Sequence, residues 1–266
     1  YCLIIIIFLF FGVREYKLMV VADVFGKFIC LLFAMYYCRD IVFQKISTFY
    51  LSIKETIDNI NVGIKLMFSN IASMLIMGVV RFGIENTWDV TTFAKVSLTL
   101  SVSNLMMVFI NAIGLIMFPL LRRTDEERLS HIYITMRDFL MVVLLGMMML
   151  YYPIRVLLMM WLPEYTDSLM YMALLFPMCI YEGKMSLLIN TYLKTLREEK
   201  AMLKVNLIAL GFALILTFIT TILIEDLNLA ILSIMILLVF RCISAEIYLS
   251  KIMNISVFRD IILEII

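Results

Sequence analysis

The chain has 266 residues, of which 64% are hydrophobic and 16% charged, with a formal net charge of +1. That balance excludes an ordinary soluble domain and offers no basic surface for nucleic acid; the expected class is an all-α integral membrane protein, a polytopic helix bundle. Cys2, Cys30, Cys38, Cys179 and Cys242 fall in or beside apolar runs without metal-type spacing, so each is expected as a buried small hydrophobe, outside any disulfide framework.

In chain order, apolar windows of about 20 residues, the length that spans a bilayer, fall at 18–38, 65–84, 92–118, 132–152, 168–190, 203–224 and 228–250. Partial spans at 1–11 and from about 256 onward run into the chain ends. With no initiator Met and no signal-peptide n-region, the chain is expected to be an internal fragment of a longer polytopic protein. Barrel strands would be about half as long and would alternate with period two, which these windows do not.

Lysine and arginine orient the spans. Segments 39–65, 122–137, 194–204 and 251–259 are basic and alternate with poorer connections, which makes the basic set cytoplasmic. The seven complete spans then alternate in direction without forcing. The long connection 39–64 mixes charge with Ile, Phe and Tyr and is expected as an amphipathic helix on the cytoplasmic face, marking a lobe boundary. The other connections, notably Glu85–Thr91 and Pro153–Thr166, are short, so binding or chemistry falls within the membrane or at its surface.

Polar residues inside the spans point to where that happens. Glu182, Ser186, Asn190 and Lys194 recur at four-residue steps and form one slowly winding band on a helix. In 65–84, Asn70, Ser73 and Arg81 lie within about 80° of one another, and Ser97, Ser101, Asn104 and Asn111 cluster in a similar arc of 92–118. Asn206, Thr217, Thr220 and Thr221 share a face of 203–224. Any one such Ser or Thr is ordinary interhelical glue, but four coincident bands favour a hydrated central cavity.

Glu182 lies nearest mid-span and is the leading ionisable candidate. Arg81 either snorkels to the interface or faces a substrate. Lys184 stands about 160° from Glu182 and so calls for a partner on another helix, with Pro177 able to distort the local phase. Asp23 and Lys27 are spaced to satisfy each other, while Arg241 and Glu246 are expected to snorkel or anchor. His131 reads as a solvated loop residue. The sequence contains no His-rich metal cluster, phosphate-binding glycine loop or nucleophile elbow, so the residues for familiar hydrolytic or nucleotide chemistry are absent and no cofactor is expected. The 22 methionines read as adaptable packing.

Gly63–Arg123 resembles the opening of the second lobe of polysaccharide-transporter-type flippases, within the multidrug, oligosaccharidyl-lipid and polysaccharide exporter superfamily. The likeness rests on Gly63 and Ser69 at a helix start, Arg81 at its end, the Phe93–Ser97–Ser101 entry of the next helix, and the exit Phe118-Pro119-Leu120-Leu121-Arg122-Arg123. Phe176–Lys200, with its proline, polar inner face and basic exit, resembles the family's tenth-helix region; Ala94 stands where many relatives have glycine.

The resemblance implies two lobes of six or more helices facing each other across a central cavity. Residues 1–38 would be the last two helices of the first lobe, 39–64 the linker, 65–250 the six-helix core of the second, and 251–266 the start of a further helix. It implies a bacterial cytoplasmic-membrane protein that moves undecaprenyl-pyrophosphate-linked oligosaccharide between leaflets by alternating access, for O-antigen, capsule or exopolysaccharide synthesis. Its partners would be the lipid-linked oligosaccharide, membrane lipid and a proton or sodium ion. Arg81 would then face pyrophosphate or an acidic sugar, and Asn70, Asn104, Asn111 and Asn190 would bond sugar hydroxyls. Glu182 would organise the cations or bind the coupling ion. A cation-coupled drug exporter of the same superfamily is the alternative, and a membrane polymerase or acyltransferase a further one.

Overall fold

The computed structural model of the chain describes residues 16–39, 52–161 and 168–255, which are helical with short turns and contain no strand. The partial spans expected at both ends, and residues 40–51 of the expected linker, lie outside the described residues. The chain divides into two units, Tyr1–Ile57 and Asp58–Ile266.

In the first unit, α1 (Tyr16–Tyr37) carries an Asp23–Lys27 ion pair at 2.7 Å, the i,i+4 contact that the spacing predicts. Its Phe28, Leu31 and Phe33 are exposed, and so are Cys30 and Cys38, which were expected to be buried.

The second unit is a bundle. Its helices are α2 (Ile53–Thr87, whose first turn belongs to the first unit), α3 (Val90–Arg122), α4 (Glu126–Met148), α5 (Tyr151–Trp161), α6 (Ser168–Leu175), α7 (Met178–Gly183), α8 (Asn190–Thr195), α9 (Glu199–Phe218) and α10 (Leu227–Met253). A π-helical segment, Lys184–Ile189, joins α7 to α8, and another, Ile219–Leu223, prolongs α9. Among the described residues, five stretches are long and apolar enough to cross a membrane: Ile53–Thr87, Val90–Arg122, Arg128–Trp161, Glu199–Leu223 and Leu227–Met253. Leu169–Leu175 and Met178–Thr195, bent by 42°, make a sixth if they form one span. Over its described residues the chain is all-helical, and it is a multi-pass membrane protein.

Local chemistry explains the boundaries. Residues 53–64, expected on the membrane surface, form the first turns of the same helix as the following span, because nothing between Ile53 and Thr87 breaks the hydrogen-bond ladder. Asp89 caps α3 by accepting from the Thr92 amide at 3.1 Å, and Asp226 caps α10 by accepting from the amides of Asn228 and Leu229. Asn254 ends α10 in the left-handed region at φ 53°, where Asn is better tolerated than most residues. Pro177 lacks the amide that would continue α6, and the chain breaks there. His131 is exposed as expected, but within α4 and not in a loop.

Buried positions follow the helix repeat. Ser69, Ala72, Ile76, Val80 and Ile84 make one stripe of α2, while Phe68, Met74, Leu75 and Phe82 point outward. Two apolar cores result. One contains Met117, Leu121, Tyr133, Tyr192 and Met202, and the other Val80, Ile84, Leu175, Phe176 and Ala213. On the bent helix, α9 and α10 the second core ends at Cys179, Ala209 and Leu238, and the first begins at Met185, Val205 and Cys242. The gaps hold Glu182, Lys184, Asn206 and Arg241, so a polar layer separates the two cores.

Candidate functional site

The polar layer is paired. Lys184 Nζ donates to Glu246 Oε2 at 2.7 Å with both side chains 1% exposed, and the Tyr133 hydroxyl donates to Glu246 Oε1 at 3.2 Å. Arg241 donates from Nε to Asn206 Oδ1 at 2.8 Å and from Nη1 to Glu182 Oε2 at 3.2 Å. Asn206 Nδ2 in turn donates to the Ser69 hydroxyl at 2.8 Å and to the Ser69 carbonyl at 3.0 Å. Five elements of the second unit are thereby cross-linked: α2, α4, the bent helix, α9 and α10. A charge at this depth is expensive unless paired and hydrogen-bonded, and here opposite charges face each other.

This corrects the expectation for Arg241 and Glu246. Neither reaches an interface: Arg241 is 3% and Glu246 1% exposed, because the bent helix supplies each with a counter-charge. Lys184 finds the partner on another helix that its angular position demands. The α9 band also turns inward, with Asn206 alone bonding to other helices. Thr220 and Thr221 donate to carbonyls of their own helix, and Asn206 is fully buried.

Beside the layer lies a cavity of about 1030 Å³. Its inner end is lined by neutral polar groups, Asn70, Asn111 and Ser186, with Ser186 Oγ donating to Asn111 Oδ1 at 2.7 Å. Its outer end carries Arg122, Lys194, Arg197, the carboxylate of Glu199 and the amide of Asn59. Arg122 and Asn111 are eleven residues apart on α3, and at 1.5 Å per residue the cationic and amide ends lie about 16 Å apart. Val62, Leu66, Ala112 and Phe118 line the wall between them. A ligand with an anionic group and a neutral hydroxyl-rich part matches this division: guanidinium and ammonium donors suit phosphate oxygens, and amides both donate to and accept from hydroxyls. Its volume is at the upper end of the range for small-molecule sites.

The other expected site residues scatter. Asn70 and Asn111 line the cavity, whereas Asn104 is exposed elsewhere on α3 and does not line it. Glu182, the leading candidate, is engaged with Arg241 and 28% exposed. Asn190 is half-buried, and its Oδ1 has no hydrogen-bond partner among the described residues. Arg81, also half-buried and outside the cavity lining, has a buried Nε without such a partner. The band Glu182–Ser186–Asn190–Lys194 is divided because the π segment widens the turn between its first and third members and changes the phase. Arg197 was legible only as an orienting charge and Arg122 as an orienting charge and part of the exit motif, and their place in the cavity came from the fold.

Comparison with protein-family models, curated proteins and solved structures found no match.

Proposed function

We propose that this chain forms the second lobe, with adjoining helices, of a flippase that moves an undecaprenyl-pyrophosphate-linked oligosaccharide across a bacterial cytoplasmic membrane by alternating access. The observation that carries the reading is the division of the 1030 Å³ cavity into a cationic end (Arg122, Lys194, Arg197) and an amide and hydroxyl end (Asn70, Asn111, Ser186). Three cations against the single Glu199 carboxylate suit a doubly charged pyrophosphate diester, and the amides suit sugar hydroxyls. A polyprenyl tail stays among the exposed apolar side chains outside, so only the polar head needs shelter from hydrocarbon.

In this reading the electrostatic role first given to Arg81 falls to the three cations that line the cavity. Glu182 serves Arg241, and binding a proton or sodium there carries the further cost of weakening the counter-charge of a buried guanidinium.

The deciding experiment uses full-length protein in vesicles and follows transfer of lipid-linked oligosaccharide between leaflets. Neutralising Arg122, Lys194 and Arg197 to Gln is expected to abolish transfer while the protein stays folded. Unchanged transfer, or efflux of organic cations by the parent protein, would overturn the proposal in favour of another substrate class.

A further inference from the structure

The π segment Lys184–Ile189 stands at a joint between a clamped half-helix and one that faces the cavity. Upstream, the chain is held on several sides. Cys179 Sγ contacts the Ser103 carbonyl at 3.7 Å, Glu182 holds Arg241, and Lys184 holds Glu246. Gly183 is so closely packed that an added Cβ would lie 2.9 Å from Leu144 Cδ2 and 3.0 Å from Ile110 Cδ1. Ser186 within the segment, and Thr191, Lys194 and Arg197 beyond it, line the cavity.

A π segment holds one residue more than an α-helical turn would, as the Asn190 amide bonding the Met185 carbonyl records. If that extra residue is taken up into α-helix while the upstream half stays clamped, the downstream half must turn by one residue's share of a turn, about 100°. The position of Lys194 then passes to Leu193 or Thr195, neither of which is charged. The turn beyond can absorb the motion, since the helix ends there, with Arg197 at φ 57°. The Tyr192 hydroxyl bond to the Leu129 carbonyl, 3.4 Å long, would be given up, while the buried Asn190 Oδ1 has no partner to lose among the described residues.

We infer that the π segment Lys184–Ile189 is a register switch, pinned by the Lys184–Glu246 pair at its first residue, that sets whether Lys194 faces the cavity. The pin acts where the two registers diverge. With Lys184 tied to α10, the extra residue stays in the turn that follows. Released, the segment can exchange the wide turn for α-helix. This goes beyond the flippase reading and stands without it, because it concerns only how one cavity wall is presented.

The test uses the full chain in detergent with Cys2, Cys30 and Cys38 replaced by Ser and spin labels at Ala112→Cys and Lys194→Cys, positions that both line the cavity. Electron paramagnetic resonance is expected to give one distance population in this parent. Glu246→Gln should add a second, resolved population, and deleting Leu187 in that background should return the distribution to one by removing the extra residue. If Glu246→Gln does not give monodisperse protein, the double replacement Lys184→Met/Glu246→Leu, which leaves no unpaired charge, carries the same expectation. Distributions superimposable on the parent, or a second population that survives the deletion, would overturn the switch.

Discussion

Lys184 and Glu246 meet at 2.7 Å with neither side chain more than 1% exposed, and Glu182 and Arg241 join the same two helices at 3.2 Å with the charges exchanged. The bent helix therefore offers an acid and a base two residues apart, and α10 answers with a base and an acid five apart. The exchange fixes the register of α10 against the bent helix: sliding by one residue would break both contacts. Specificity, more than net stability, is what such a pair supplies, since desolvation offsets much of its Coulomb attraction.

Removing Glu246 takes the facing carboxylate from the buried Lys184 ammonium. Glu246→Leu is expected to cost about 3–5 kcal/mol, read as a lower unfolding midpoint in detergent. Lys184→Met/Glu246→Leu should recover most of the loss, because no orphan charge remains. A double variant as unstable as the single one would show that the pair stabilises the bundle outright.

Asn206 connects Arg241 to Ser69 and has no solvent to turn to. Asn206→Leu removes an acceptor from a buried guanidinium and is expected to cost about 1–3 kcal/mol. Ser69→Ala should cost less, since the Asn206 amide keeps the Ser69 carbonyl. Equal losses for the two would mean that the hydroxyl, and not Arg241, is the partner that matters.

Gly83 permits α2 to approach α9. A Cβ built there lies 2.5 Å from Thr217 Cγ2 and 3.1 Å from Thr221 Cγ2. Gly83→Ala is therefore expected to destabilise by about 1–3 kcal/mol through overpacking. Adding Thr217→Ser removes the nearer methyl and should restore much of the loss in a thermal melt; a companion change without effect would place the strain elsewhere.

Asp89 lies between α2 and α3, and its carboxyl is held below the ordinary value by the Thr91 hydroxyl bond and then by the Thr92 amide. A depressed carboxyl pKa contributes stability that is complete above the unfolded value, 3.8, and is lost as pH falls through the lower folded one. Asp89→Ala should therefore lower the unfolding midpoint at neutral pH, with the difference from the parent shrinking once pH drops below both values. A difference that persists unchanged in acid would assign the effect to helix propensity.

For transport, Lys194→Gln and Arg197→Gln are each expected to slow transfer of lipid-linked oligosaccharide roughly tenfold or more, the worth of one charge-assisted hydrogen bond of about 1.5–3 kcal/mol. Arg81→Ala, outside the cavity lining, should have a smaller effect. A larger loss at Arg81 than at Lys194 would return the anion-binding role to the residue that the sequence resemblance first suggested.

Much of this protein follows from its sequence alone. The apolar windows become helices because a backbone in hydrocarbon must bond within itself, and the caps at Asp89 and Asp226 and the break at Pro177 are local backbone chemistry. Asp23 and Lys27 pair because four residues make a helical neighbour. The partners of Glu182, Lys184, Arg241 and Glu246 are another matter. A charge's helical phase says that it must avoid lipid, but not which of several helices will answer it, and Arg241 and Glu246 looked like residues bound for the interface. The π segment was equally hidden, since KMSLLI is an ordinary helical sequence whose extra residue shows only in the folded chain. Tertiary structure thus decided which charges are glue, which line the cavity, and where the bent helix changes phase, because each depends on residues distant in sequence competing for the same buried space.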